Sequence, residues 1–409
     1  MRPSRRSAAP RRRDPLKLAA GDTDTQAGME LDSLLESAVE VGASDVHLKL
    51  GRPPLVRRDA VLAPLDGMPI LQSRDLDAVL QHVCECSPQR LSSFLESGEL
   101  DIPYTTAREH RFRVNGFRQR GEMSFALRLI PRTIPGIAEL GLPQGVVRLA
   151  DEPHGLVLVT GPTGSGKSTT LAAMINRINA TRRSHIVTVE DPIEFLHEDE
   201  RCLINQREVG IDTESFRMGL RQALRQDPDI LLIGELRDEE SAETALQAAE
   251  SGHLVLTTLH TLDAAESLGR MIELFPSGKQ QQVRSILAGV LRGVVSQRLL
   301  PRVDGGRVPA VEVMVSTARI AEFIRDNRAD LIPEAIADGK FFDMQTLRQS
   351  LVDLVVSGLV DRETAADVAV NRHDFIIAVE YALKAAQVKP EDNDFAVRGV
   401  RLRTVGSDS

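Results

Sequence analysis

Residues 155–170 read GLVLVTGPTGSGKSTT. A continuous apolar run ends in a glycine-rich turn, and a helical pattern follows. Residues 161–168 fit G-x-x-x-x-G-K-[ST]. Gly161, Gly164 and Gly166 let backbone N–H groups converge on phosphate oxygens. The helix behind them adds its N-terminal partial charge. Lys167 is placed to reach the β- and γ-phosphates, and the Ser168 hydroxyl to hold Mg²⁺. The candidate ATP-binding residues are therefore Gly161, Pro162, Thr163, Gly164, Ser165, Gly166, Lys167, Ser168 and Thr169, with Ser168 as metal ligand. A glycine turn without a ligand is the bland reading. The strand before the loop and the helix after it count against that reading.

Three more apolar runs, HIVTVED (185–191), DILLIGE (229–235) and HLVLTTLH (253–260), alternate with helical patterns. Continuous apolar strands separated by helices predict a parallel sheet covered on both faces. Such sheets bind ligands at the C-terminal ends of their strands. Two of the runs end in acid there. Phosphate-loop NTPases usually carry an Asp for Mg²⁺ after the second strand. Here that position is Gly234, so Glu235 becomes the candidate for polarising the attacking water. Glu190, Asp191 and Glu194 form a second acidic group, either ligand-facing or a solvated helix cap. His260 closes the third run at the same predicted edge, where imidazole can hydrogen-bond a γ-phosphate or a water. His253 starts that strand, about 23 Å away if it is fully extended. It is either structural or faces another subunit.

The 409 residues suggest two or three domains. Residues 29–130 alternate as a small α/β domain, ending in a basic hairpin that turns near QRGE. Residues 131–145, PRTIPGIAELGLPQG, are rich in Pro and Gly and predict a hinge-like linker. The large domain runs over 146–375 and turns mostly helical past Phe275. Residues 376–409 predict a helix and a polar tail. The first 17 residues hold six Arg and one Lys against one Asp. Residues 1–28 are thus a basic tail, idle or touching anionic lipid or nucleic acid, or the start is Met29. Cys84, Cys86 and Cys202 offer neither a disulfide framework nor a zinc site, and a cytoplasmic setting fits best. A net charge of −9 and 3% aromatics argue against direct nucleic-acid binding.

The segments GPTGSGKSTT, VEDPIEFLHE, INQREVGIDT, LRQDPDILLIGELRD and SGHLVLTTLHTLDA resemble the type II/IV secretion ATPase superfamily. Within it they resemble the type IV pilus retraction, or twitching-motility, ATPases. GASDVHLKLGRPPLVR, RFRVNGFRQRG and MQTLRQSLVDLVVSGLV extend the likeness over roughly residues 30–375. The resemblance implies an α/β chain with a RecA-like ATPase domain behind a PAS-like domain, and a ring of six subunits. It implies ATP and Mg²⁺ as cofactors, with Glu190 and Glu235 as the acidic-box and catalytic carboxylates and His260 as a histidine-box sensor. Arg111, Arg113, Arg118 and Arg128 lie in the segment whose arginines approach nucleotide at domain and subunit boundaries. Their other reading is a solvated basic face. The implied partners are an inner-membrane pilus platform protein and a second pilus ATPase, at the inner face of the cytoplasmic membrane. Extension and type II secretion motors usually add a large N-terminal domain and a four-cysteine zinc loop, neither of which is found here. One departure is TARIAEFIRDN, standing where retraction motors usually carry a helix close to A-I-R-N-L-I-R-E. Other secretion ATPases, an accessory ring subunit and a nucleic-acid translocase are the alternatives.

Overall fold

The computed structural model describes residues 30–58, 61–85 and 88–387. The basic tail at 1–28, Cys86 and the extension beyond 387 lie outside the described residues. The chain forms two compact units that divide between Ile130 and Pro131.

The first unit opens with helix α1 (Leu31–Glu40). Its Leu31, Leu34, Leu35 and Ala38 recur at three- and four-residue spacing and are buried, as a helix seated on a core requires. Strands β1 (Asp45–Lys49), β2 (Leu55–Arg58) and β3 (Val61–Pro64) follow, then helices α2 (Ser73–Val83) and α3 (Pro88–Ser97). Strands β4 (Glu99–Thr105), β5 (Arg111–Gln119) and β6 (Glu122–Ile130) complete an antiparallel sheet in the order β3-β2-β1-β6-β5-β4. The basic hairpin is β5–β6, with Gln119 opposite Glu122 across the expected turn. Phe94, Phe112 and Phe125 fill the core with no exposed surface to speak of.

The second unit begins with α4 (Gln144–Ala150), β7 (Gly155–Thr160), α5 (Lys167–Thr181), β8 (His185–Glu190) and β9 (Leu203–Glu208). Then come α6 (Phe216–Ala223), β10 (Ile230–Ile233), α7 (Glu239–Glu250), β11 (Leu254–Leu259), α8 (Ala264–Glu273) and α9 (Gln280–Val290). Strands β12 (Leu291–Pro301) and β13 (Arg307–Val315) complete a sheet ordered β13-β12-β7-β11-β10-β8-β9. Every pairing in it is parallel except β12–β13. All six residues of β7 are buried, so both faces of the sheet are covered. Leu156, Val157, Leu158 and Val159 each contribute on the order of 1.5–3 kcal/mol by burial. Helices α10 (Ala318–Arg325), α11 (Ile332–Ala337), α12 (Leu347–Val356), α13 (Arg362–Val368) and α14 (Arg372–Gln387) follow.

Three expectations shift. Past Phe275, where a mostly helical chain is expected, the stretch KQQQVRSILAGVLRGVVSQRLL (279–300) divides into helix α9 and strand β12. A run this apolar does not distinguish a buried helix from a buried strand. Gly293 decides it, because its bare backbone lies against the Met314 carbonyl and the Leu149 side chain. The segment 131–145 is not a free linker throughout, since Ile137 and Leu142 are buried in the second core. The extension drawn from residue 376 begins inside α14, whose Phe375 and Val379 are buried together against α12 and α13 residues.

In the first unit, Glu36 accepts hydrogen bonds from Thr106 and from the His110 ring. Burial pushes this carboxyl up, but those bonds and the nearby charges of His110 and Arg108 more than offset it and hold it below the usual range. A carboxyl depressed in the fold stabilises it above the unfolded pKa, and that contribution is lost as pH falls through the folded value. Glu36→Gln is therefore expected to cost about 1–2 kcal/mol at pH 7. The difference from the parent should shrink as pH falls below 4.5. Thermal unfolding of the full chain across that range checks it, and a pH-independent difference would refute the ion-pair account.

Candidate active site

The loop between β7 and α5 carries the phosphate motif. Gly161, Gly164 and Gly166 all have positive φ, at 142°, 79° and 90°. A Cβ on Gly161 would collide with the Gln297 carbonyl oxygen and stand 2.6 Å from Ser165 Oγ. Only glycine fits there. Pro162, Thr163 and Gly164 are exposed, Gly161 and Ser165 buried, Ser168 and Thr169 half-buried. Gly166 is the N-cap of α5, so the first N–H groups of that helix face the loop. Lys167 lies buried at the start of α5, and its ammonium donates to the Gly161 carbonyl at 2.9 Å and the Pro162 carbonyl at 3.1 Å. Burial lowers its pKa, with Glu235 and Glu194 pulling the other way. The buried Ser165 hydroxyl has no protein partner. Backbone cradle, buried ammonium and orphaned hydroxyl together suit a nucleotide phosphate, with Ser168 beside it for a magnesium ion. Among the described residues no three acidic, histidine or cysteine side chains form a metal site of their own.

Parallel register brings the other candidates to this edge. Ile233 pairs with Val189 and with Thr257, and Leu259 with Thr160. The residues just beyond, Glu190, Glu235 and His260, therefore emerge beside the phosphate loop. His260 bridges two of its groups: Nε2 lies 3.4 Å from Glu235 Oε1, and Nδ1 lies 3.5 Å from Lys167 Nζ. Glu235 also accepts from Arg237 Nε at 2.9 Å. Glu190 belongs to the same edge but makes different contacts. It accepts from Thr188 Oγ1 at 2.6 Å and from Gln206 Nε2 at 3.2 Å. Burial pushes its carboxyl up, and these bonds and a neighbouring backbone N–H only partly offset that.

The remaining candidates belong to other elements. His253 sits at the opposite end of β11, where its carbonyl accepts from Gly155 N and its ring is within 2.9 Å of the Ala248 carbonyl. The four arginines belong to the first unit and divide into two kinds. Arg111, Arg113 and Arg128 alternate with the buried residues of β5 and β6, and so share one face of the sheet. Arg113 pairs with Asp101 and Arg128 with Asp45. Arg118 instead stacks on Phe94, 5.5 Å from the ring centre.

Sequence pattern alone did not single out Gln206, Arg237 or Gln297. Gln206 holds Glu190 and also donates to the Phe195 carbonyl. Arg237 spans Glu235 and, at 3.6 Å, Asp191. Glutamine carries no charge pattern or motif, so only the pairing of β8 with β9 could have revealed Gln206.

A phosphate cradle, two carboxylates and a histidine on one strand edge are equipped to bind a nucleoside triphosphate and activate water against it. Comparison with known proteins bears on this arrangement. Residues 97–329 match the family described as type II/IV secretion system protein. The type IV pilus retraction ATPase PilT of Pseudomonas aeruginosa is 44% identical over 341 residues, covering 83% of this chain and 98% of that protein. A twitching motility protein of Neisseria gonorrhoeae is 46% identical over 274 residues, covering 67% of this chain and 73% of that one. A crystal structure of the pilus retraction motor PilT with bound ADP is 42% identical and superposes with a TM-score of 0.78, covering 85% of this chain and 98% of that one. On these grounds the chain belongs to the type II/IV secretion system protein family and is one of its ATPases.

Proposed function

We propose that this ATPase retracts a type IV pilus, working as a ring of six subunits at the inner face of the cytoplasmic membrane. The observation that carries this reading is the match to a retraction ATPase over 98% of that protein's length. Its partners on this reading are a pilus platform protein in the membrane and a second pilus ATPase. No described helix is long and apolar enough to cross a membrane, so membrane attachment would run through such a partner.

At the site, residues 161–169 hold the ATP phosphates and Lys167 neutralises them. Ser168 would hold Mg²⁺, whose charge would offset that of the phosphates. Glu235, fixed by Arg237 and His260, orients and polarises the attacking water. His260 stands between Lys167 and Glu235, so a γ-phosphate beside Lys167 would be felt at the base through one imidazole. Glu190 supports the same edge from β8. Arg111, Arg113 and Arg128 share a face and are the better donors across a subunit boundary; Arg118 is turned to its own core.

Three outcomes test this reading. Lys167→Ala should abolish nucleotide binding or turnover, while Glu235→Ala should keep ADP binding and stop hydrolysis. Normal turnover in the Glu235 variant would remove it from the role of base. Mass photometry with nucleotide should show hexamers, and only monomers at micromolar concentration would oppose the ring. Deleting the gene should leave hyperpiliated, non-twitching cells that the Glu235→Ala gene fails to rescue; unchanged pilus number and twitching would exclude retraction.

The two histidines give the last test. A lost hydrogen bond to a charged group costs roughly 1.5–3 kcal/mol. If that bond acts mainly in the transition state, His260→Ala should slow turnover about 10–150-fold with ADP affinity nearly unchanged. His253→Ala should act on stability or assembly. Steady-state rates and ADP titrations on both variants separate them, and a normal rate for His260→Ala would reduce the pair to strand-end features.

A further inference from the structure

Gln297 is a buried amide on β12, a strand that contributes no residue to the phosphate motif. Ser296 pairs in register with Thr160, the last residue of β7. Gln297 therefore lies beside Gly161, where β7 gives way to the loop. Its side chain is only 2% exposed and both of its ends are used. Nε2 donates to the Ser165 carbonyl at 2.6 Å, and Oε1 accepts from Thr170 Oγ1 at 2.8 Å. Its backbone carbonyl occupies the space a Cβ on Gly161 would need. A Cβ on Gly166 would stand 2.9 Å from Nε2. One residue thus touches the loop at its start, near its end and at the first turn of the helix behind it.

We propose that Gln297 is a positioning residue for nucleotide binding, an amide clamp that fixes the phosphate loop in its receiving shape. This rests on the phosphate-binding reading of residues 161–169. The physical reason is directional. A phosphate cradle works only if N–H groups point inward, so loop carbonyls must be held elsewhere. Ser165 lies between Gly164 and Gly166, both at positive φ, and without side chains on either side its peptide planes are little restrained locally. A donor on its carbonyl fixes the peptide plane that carries the Gly166 N–H. The Gln297 Nε2 supplies that donor from a strand of the sheet, and its bond to Thr170 stops the amide from turning over.

Strand β12 also has a second attachment. The next residue, Arg298, donates to the Val368 carbonyl at the end of α13 at 2.6 Å. Leu300, farther along, is buried with Leu347, Leu351, Phe375 and Val379 of the C-terminal helices. The clamp therefore sits on the element that joins the loop to that helical group.

The test uses the full chain. Gln297→Met keeps the length and removes both bonds. Without the clamp the loop must be ordered as the phosphate binds, and a cost of one to two neutral bonds there should weaken ADP binding about tenfold. KM for ATP should rise by a similar factor with kcat changed less than threefold. The melting temperature without nucleotide should fall, because the Ser165 carbonyl and the Thr170 hydroxyl lose a buried partner, and the ADP-induced rise in it should shrink as well. Thr170→Val removes one bond and leaves the other, and should weaken ADP binding by about threefold. If Gln297→Met fails to fold, Thr170→Val carries the test alone. ADP affinity within a factor of 1.5 of the parent for Thr170→Val, or within twofold for a folded Gln297→Met, overturns the clamp. So does a loss confined to kcat. Lys167→Ala measured alongside separates the two ideas: if it too binds ADP normally, the phosphate-loop reading itself has failed.

Discussion

The site depends on the parallel register of four strands. β7, β11, β10 and β8 lie side by side and end at the same edge. A one-residue slip in any strand would exchange its two faces and withdraw its terminal side chain from the others. Register is held by burial: all the residues of β7, β10 and β11 are inaccessible, so no strand can slide without exposing apolar surface. The chemistry at the edge is therefore held by apolar residues well away from it. Glu190, Glu235 and His260 meet the phosphate loop because Val189, Ile233 and Leu259 are fixed in the core behind them.

Electrostatics at that edge follow from how little the acidic groups are left alone. Glu235 is flanked by His260 and Arg237, whereas Glu190 accepts from Thr188, Gln206 and a backbone N–H, with the Glu194 carboxylate nearby. The two carboxylates thus differ in kind although both close an apolar strand. Burial with neutral partners favours the protonated form of Glu190. Position is what separates them for catalysis: Glu235 stands against His260, which reaches Lys167 of the phosphate loop, whereas Glu190 is tied to Thr188 and Gln206, so Glu235 is the residue proposed as base.

Much of this was legible in the sequence, for identifiable reasons. The phosphate loop declares itself because glycines at fixed offsets are irreplaceable, and Gly161 has no room for a Cβ. Strand ends declare themselves because apolar runs stop abruptly at acid or histidine. The strand at 291–301 did not, because its residues are buried on both faces and show no alternation. Gln206 and Gln297 did not either: a neutral amide acts through geometry, and its partners lie on strands or loops distant in sequence. The arginines were legible as a group only; alternation along β5 and β6 is what sorts Arg118 from the rest.

The segment TARIAEFIRDN, which stands in the sequence as a departure from the retraction motors, is held by an ordinary amphipathic seat. Residues 318–325 are helix α10, capped by Thr317, whose hydroxyl accepts from Ile320 N. Ile320 and Ile324 are buried and belong to the large core. Both lie on the apolar stripe, four residues apart, so the helix packs wherever its outward residues differ. Those outward residues make local contacts of their own: Arg319 stacks on Phe323 at 5.4 Å and pairs with Asp338 at 3.6 Å. The seat of α10 is thus set by two isoleucines, and its exposed residues can differ without disturbing the core beneath.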